Sequence, residues 1–281
     1  MERVIHHLAH AKINVFLRVV GRRPDGYHDI RSLITPISLA DDVTLRAGVE
    51  LRLSVRGPHA DRVPMDEGNL SVRAAEILAS ACGVDSGAEI ELEKRIPVAA
   101  GLGGGSADAA AVLLGLTELW GCGLDGDELS TLAAGVGSDV PALLRRRPVL
   151  ISGRGEIVES VDIAPRHWVL LPQPFPVATA DAYRWWDEDG GGSGPDPAPL
   201  LSAAAAEDPG SVAALLSNDL ERPVANRHPE IGHAERQLLD AGALAAIMCG
   251  SGPTVAGLAR SDEDAERIAG AIPGSIAVSA P

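Results

Sequence analysis

From Asn69 onward, apolar residues recur at three-to-four spacing through LSVRAAEILASA, which predicts a helix ended near Gly83. The flanking stretches have another rhythm. Residues 12–20 (KINVFLRVV) mix β-branched and apolar side chains before the turn GRRPDG and read as a strand. Residues 43–46 and 49–55 read as further strands, and 89–97 alternates as a strand again. PVAAGLGGGSADAAAVLLGLTELWG then predicts a strand end, a glycine loop and a helix from about Ala107 to Trp120, closed by Gly121. Short helices are expected over 127–137 and 138–144, the second with Ser138 or Asp139 as N-cap and Pro141 in its first turn.

PVLISGRGEIVES (148–160) reads as a hairpin around GRG, and WVLLPQP (168–174) opens a second half. Helices are expected near 209–217, 230–241 and 261–271, with a strand-turn-strand at IMCGSGPTVAGLA and a last strand over 275–279. Residues 241–259 are uncharged and long enough to resemble a membrane span, but GSGP in their middle makes them strand and loop. The acidic, Gly/Pro-rich segment 187–199 cannot bury apolar surface and is expected to be a mobile loop, as a lid or as a passive insertion. No internal repeat is apparent.

Composition narrows the class. The 281 residues suit two domains, expected at 1–160 and 161–281. With 46% hydrophobic and 22% charged residues, the chain has material for a core and is not a disordered protein. A net charge of −15 argues against a nucleic-acid partner, which demands clustered cations. Cys82, Cys122 and Cys249 form no CxxC pair, and their odd number suits a reducing compartment without a disulfide framework or zinc site. The opening MERVIHH lacks a secretory signal, so a cytoplasmic protein without membrane attachment is expected.

The chemistry concentrates at the glycine loop. Gly101, Gly103, Gly104 and Gly105, followed by Ser106 and a helix, leave backbone N–H groups unobstructed at a positive helix end, an anion site suited to a nucleoside triphosphate. A turn of small residues for close helix packing is the alternative. No Walker A loop exists, because neither Lys12 nor Lys94 follows a glycine, and the GxGxxG at 121–126 follows a helix instead of a strand.

Arginine supplies 22 of the 24 basic residues, so Lys12 hints at a position that wants a compact ammonium, against the alternative of a surface lysine at a strand edge. Tyr27 and Tyr183, the only tyrosines, can stack on a base or fill a core. His6, His7 and His10 lack carboxylates at ligand spacing and read as a solvated cluster. Asp139 is either a capping carboxylate or, beside Lys12, a base that takes a hydroxyl proton. Asp108 lies in the first helical turn after the loop, to strengthen the cap or to act through water. GSGP at 250–253 is a second glycine turn able to close around phosphates or a sugar.

Taken in order, AKINVFLRVVGRRPDGYH, PVAAGLGGGSADAA, GSDVP and CGSGPT resemble the GHMP kinase superfamily over about residues 9–258. The resemblance implies an α+β GHMP kinase fold, with an N-terminal domain like ribosomal protein S5 domain 2 and a C-terminal ferredoxin-like α/β sandwich. The opening AKIN…GRRPDGYH is similar to members that use ATP to phosphorylate the tertiary C2 hydroxyl of a cytidine-diphosphate-linked methylerythritol in the non-mevalonate isoprenoid route.

By that resemblance Lys12 and Asp139 match the catalytic pair. The ATP phosphate loop matches Pro97, Val98, Ala99, Ala100, Gly101, Leu102, Gly103, Gly104, Gly105, Ser106 and Ala107, with Asn69 near adenine. Asn14 matches a substrate contact, Tyr27 and Tyr183 the walls around cytosine, and His28 a base-recognition group. Mg²⁺ is implied, with Ser106, water and the phosphates as its ligands. A monomer or homodimer is expected. Two other readings are a GHMP kinase for a sugar, homoserine or mevalonate, against which PDGYH argues, and a catalytically silent nucleotide-binding protein, which has no need of both Lys12 and Asp139.

Overall fold

The computed structural model describes residues 3–192 and 194–281; Ser193, in the predicted acidic loop, lies outside the described residues. The chain forms two units that interleave along the sequence. One takes the chain before Lys12, Leu39–Val98 and Gly103–Arg146; the other takes Lys12–Ser38, Ala99–Leu102 and Arg147–Pro281. Two long strands, β1 (Val4–Arg22) and β2 (His28–Gly48), contribute residues to both.

In the first unit β2 pairs antiparallel with β4 (Gly87–Glu93), Val43 opposite Leu92 and Leu45 opposite Ile90, and β4 pairs parallel with β3 (Arg52–Arg56). Strand alternation turns Ala88, Ile90 and Leu92 inward. They meet Leu78 of α1 (Leu70–Cys82) and Val112 and Leu113 of α2 (Gly104–Trp120) in one apolar core, completed by α3 (Gly126–Val136) and α4 (Val140–Leu144). The α2 face is mostly alanine, and at Gly115 an added Cβ would lie 2.3 Å from Leu45 Cδ1, so α2 lies close on the sheet.

The predicted α1 appears as expected: Asn69 Oδ1 accepts from Ser71 N at 2.9 Å, and Gly83 ends it at φ 62°. The GxGxxG residues are punctuation. Gly121 caps α2 at φ 69°, and Asp125 with Glu128 forms the capping box of α3. Two expectations are corrected here. Cys82 and Cys122, 5.8 Å apart at Cα, are joined by a disulfide, because the helix ends that carry them lie together. The N-terminal histidines are not a free cluster: all three lie in β1, and His7 and His10 are half-buried.

In the second unit the first half of β2 pairs antiparallel with β5 (Val149–Gly153), which turns at GRG into β6 (Ile157–Ser160). The short β8 (Ser217–Asn218) pairs parallel with β1 at Phe16 and Leu17. A separate antiparallel sheet has the order β11-β7-β10-β9, formed by Ile276–Ala280, Arg166–Leu171, Val255–Ala259 and Ala245–Met248. Helices α9 (Glu230–Asp240) and α10 (Asp262–Ala271) pack on it.

Four more helices were either unanticipated or shorter than expected: α5 (Thr179–Glu188), α6 (Ala198–Ala204), α7 (Pro209–Ala213) and α8 (Glu221–Arg227). The acidic segment is tied down at two described points. Asp189 accepts from Asn226 and Arg227, and Gly194 N donates to Asp219 at 3.1 Å. Sheets with helices segregated to a face make this the expected α+β class.

Candidate active site

Residues two apart on a strand share a face, and β1 thereby places Lys12 beside Asn14. Both are buried. Lys12 Nζ donates to Asn14 Oδ1 at 2.8 Å and to Gly101 O at 3.0 Å. Asn14 Nδ2 donates to Ser32 Oγ at 2.8 Å, and that hydroxyl donates to Phe16 O at 2.5 Å. Lys12 is therefore not a surface lysine. Its ammonium is held in a fixed direction by a strand side chain and a loop carbonyl.

The backbone gathers two further motifs around Lys12. Lys12 N donates to Leu102 O at 2.9 Å, and Thr254 N donates to Ala100 O at 3.3 Å. Gly101, at φ 76°, lies so near the second glycine turn that an added Cβ would stand 2.0 Å from Cys249 O. At Gly250 (φ 55°) an added Cβ would stand 2.9 Å from Lys12 Nζ and 3.1 Å from Gly101 O. Only glycine combines these dihedrals with that approach. Ala99 sits at φ 55° without being glycine, a strained backbone in the middle of the predicted phosphate loop. Lys12, residues 99–102 and residues 249–254, far apart in sequence, thus form one cluster.

The rest of the loop belongs to the first unit, where α2 begins at Gly104, three residues earlier than expected. Gly103 occupies the N-cap at φ 70° and supplies no side chain, so the first N–H groups of α2 are left for an outside acceptor. Asp139 is the N-cap residue of α4, yet its carboxylate makes no capping bond. The capping explanation of Asp139 therefore fails. Asn69 is committed at both ends, capping α1 through Oδ1 and donating from Nδ2 to Pro64 O at 2.8 Å.

Sequence reasoning did not find what lies behind the start of α2. Lys94 Nζ bonds Asp41 and, at 2.6 Å, Asp108 Oδ2, with all three side chains buried. Asp41 Oδ1 also accepts from Arg95 N and Ile96 N at 2.5 and 2.8 Å. Burial pushes the Asp108 carboxyl up to about 7 against the pull of Lys94, because Asp41 shares the same ammonium. Asp108 is 3% exposed and faces Lys94, so it neither caps α2 nor works through bulk water. Lysine scarcity was the available signal, and it marked Lys94 as much as Lys12.

The aromatic residues form a second cluster in the second unit. His28 and Tyr183 stack with centroids 4.9 Å apart, and Trp186 meets the imidazole edge-on at 5.6 Å. His28 Nε2 lies 3.0 Å from Asp187 Oδ1, and Arg22 lies 3.6 Å from the other oxygen of the same carboxylate. Tyr27 is exposed beneath the Arg154 guanidinium, 4.9 Å from its centroid. A flat ring with a directed polar edge is the usual means of holding a nucleobase. Arg154 and Trp186 had carried no sequence signal, and Asp187 only that of the acidic segment it opens.

Among the described residues no group of three or more His, Cys, Asp or Glu side chains is placed to hold a metal ion. The half-buried Ser106 hydroxyl in the first turn of α2 is the oxygen available there. Such a site suits an ion that keeps most of its waters and is carried on phosphate oxygens, as Mg²⁺ does.

Comparison with known proteins shows the family. The profile described as GHMP kinases N terminal domain matches residues 69–146, and GHMP kinases C terminal matches 200–276. A curated 4-diphosphocytidyl-2-C-methyl-D-erythritol kinase from Symbiobacterium thermophilum is 45% identical over 262 residues, covering 92% of each chain. One of the same name from Gloeobacter violaceus is 42% identical over 272 residues, covering 95% of this chain and 89% of its own. Among solved structures, a 4-(cytidine 5'-diphospho)-2C-methyl-D-erythritol kinase superposes with a TM-score of 0.80 at 33% identity, over 98% of this chain and 99% of that one. A homoserine kinase from Cytophaga hutchinsonii shares the fold at 20% identity, with a TM-score of 0.75 over 100% of this chain and 95% of its own.

Proposed function

The chain belongs to the GHMP kinases, and on that premise we propose that it transfers the γ-phosphoryl group of ATP to the C2 hydroxyl of 4-diphosphocytidyl-2-C-methyl-D-erythritol, giving the 2-phosphate and ADP. Residues 1–160 form its N-terminal kinase domain and 161–281 its C-terminal one. The observation that carries the chemistry is the Lys12 ammonium, buried and fixed on Gly101 O and Asn14 Oδ1 beside the glycine loop.

Phosphoryl transfer needs in-line positioning and charge neutralisation more than covalent chemistry. The loop N–H groups at the head of α2 hold the phosphates, and Lys12 neutralises charge as it develops on the transferring group. Asp139, whose carboxylate makes no capping bond, takes the proton of the attacking hydroxyl. His28, oriented by Asp187 and backed by Tyr183, reads the cytosine edge, and Tyr27 closes over its face. Ser106, with water and the phosphates, would hold Mg²⁺, which would supply further charge neutralisation.

The test is ADP release from Mg²⁺-ATP with a panel of alcohols: the cytidylyl polyol, a sugar, homoserine and mevalonate. Release with the cytidylyl polyol alone is the expected result. Release with another alcohol instead would replace the substrate, and release with none would leave a nucleotide-binding protein. No helix among the described residues is long and apolar enough to cross a membrane.

A further inference from the structure

Two side chains outside the predicted site hold the 249–253 turn from behind. Asn218, buried at the end of β8, donates from Nδ2 to Met248 O at 2.8 Å and to Gly250 O at 2.7 Å. Its Oδ1 accepts from Leu220 N at 3.0 Å, so the whole amide is used. In the first turn of α8, Glu221 Oε2 accepts from Met248 N at 2.7 Å. Met248 is thus fixed at its N–H by one residue and at its C=O by the other. These bonds bracket Cys249, whose carbonyl takes the Gly252 N–H at 2.8 Å and leaves no room for a side chain on Gly101. At the next residue, Gly250, an added Cβ would stand 2.9 Å from Lys12 Nζ.

We propose that Asn218 and Glu221 are positioning residues for the transfer, fixing the 249–253 turn so that it confines the Lys12 ammonium to one place. The proposal rests on the reading of Lys12 as the catalytic cation. Lysine is a flexible stem with a point charge, and it keeps a single rotamer only where neighbours exclude the others. On its loop side it is held by Gly101 O, against which the 249–252 turn is packed so closely that an added Cβ at Gly250 would crowd the ammonium. A displacement of about 1 Å there releases Lys12, and misplacement on that scale costs roughly 10²-fold in rate. Because the ammonium acts on charge that develops during transfer, the loss falls on kcat and not on KM.

Glu221 is suited to the role as a neutral group. It is packed against Glu235 of α9, beside which lies Arg236, while Cys249 and Lys12 lie on the turn side. Burial first, and Glu235 second, push its carboxyl up to about 7. A proton on Glu221 bonds Glu235 while Oε2 receives the Met248 N–H. A glutamine reproduces this arrangement, with one carbonyl acceptor and one N–H donor.

Steady-state kinetics with Mg²⁺-ATP and the cytidylyl polyol test the proposal on Asn218→Ala, Glu221→Ala, Glu221→Gln and Lys12→Ala, each checked for folding by thermal melting. The two positioning alanine variants are expected to lower kcat by about tenfold or more with both KM values within about threefold. Glu221→Gln should stay within about threefold of the parent, and adding Asn218→Ala to Lys12→Ala should lower the rate no further. Asn218→Asp keeps the Leu220 acceptor and withdraws the two donated bonds, so it must reproduce the kcat loss even if the alanine variants do not fold.

Folded Asn218→Ala and Glu221→Ala proteins with parental kcat, beside an inactive Lys12→Ala, would overturn the positioning role and leave the catalytic reading standing. A rise in KM at unchanged kcat would overturn it as well. Parental turnover by Lys12→Ala would instead remove the premise on which the proposal rests.

Discussion

Asp139 and Gly101 separate chemistry from architecture at the scale of single residues. Asp139 makes no capping bond to α4, so on the proposed reading its replacement should leave that cap unchanged and strike the proton transfer. Asp139→Ala is expected to lose about 10²–10⁴ in kcat while a nucleotide analogue binds with parental affinity by calorimetry; parental turnover would remove it from the mechanism. Gly101→Ala acts differently. Its Cβ would meet a backbone carbonyl at 2.0 Å in a left-handed conformation, so the loop must move or the turn must yield. Overpacking and strain of about 1–3 kcal/mol each predict at least a 10²-fold fall in kcat/KM, accompanied by weaker nucleotide binding. Gly135→Ala, at an exposed position of α3 where an added Cβ meets nothing within 4 Å, is the control, expected to stabilise by about 0.4–1 kcal/mol and to keep activity. Gly101 and Lys12 were legible in sequence because their chemistry requires those residue types. Asn218 and Glu221 were not, since asparagine and glutamate are ordinary surface residues until burial and bonds to a turn 27 or more positions away give them work.

Between elements, buried charge decides what holds and what titrates. Lys94 joins the end of β4 to β2 through Asp41 and to α2 through Asp108, so Lys94→Met would strand two carboxylates in a dry site. A loss of about 3–5 kcal/mol in denaturant unfolding at pH 8 is expected, shrinking toward acid as the carboxyls protonate; a change under about 1 kcal/mol would mean that water reaches the cluster. Glu221 carries the opposite lesson. Its carboxyl is raised in the folded state, so between its ordinary value and about 7 the native chain binds more protons than the unfolded one. Stability from this group therefore falls as pH rises through that window, by at most about 3 kcal/mol, and Glu221→Gln should flatten that part of the profile in melts from pH 4.5 to 7.5. Elements were legible where punctuation was local, as at Asn69 and Gly83 around α1 or Gly121 after α2. The first half of β2 was missed because it is buried on both faces and interrupted by Pro36, which hides the alternation that marks a strand. Helix α8 escaped because it is short, and α5 because it opens on Ala178, without a capping side chain, and runs into the acidic segment.

The whole molecule carries a charge of −15 and acts on two anions, ATP and a cytidine-diphosphate-linked polyol. Its far field repels both, and on the proposed reading affinity comes from short-range groups: the N–H groups at the head of α2 and the Lys12 ammonium. Each reaches only a few ångströms and is little screened, whereas the diffuse negative field reaches as far as the Debye length allows. That length falls from roughly 20 Å at 20 mM salt to roughly 8 Å at 150 mM. Added salt therefore weakens the repulsion and spares the contacts. At fixed free Mg²⁺, kcat/KM for ATP is expected to rise about two- to threefold over that range, with kcat unchanged. A steep fall instead would show that a local basic surface steers the nucleotide in.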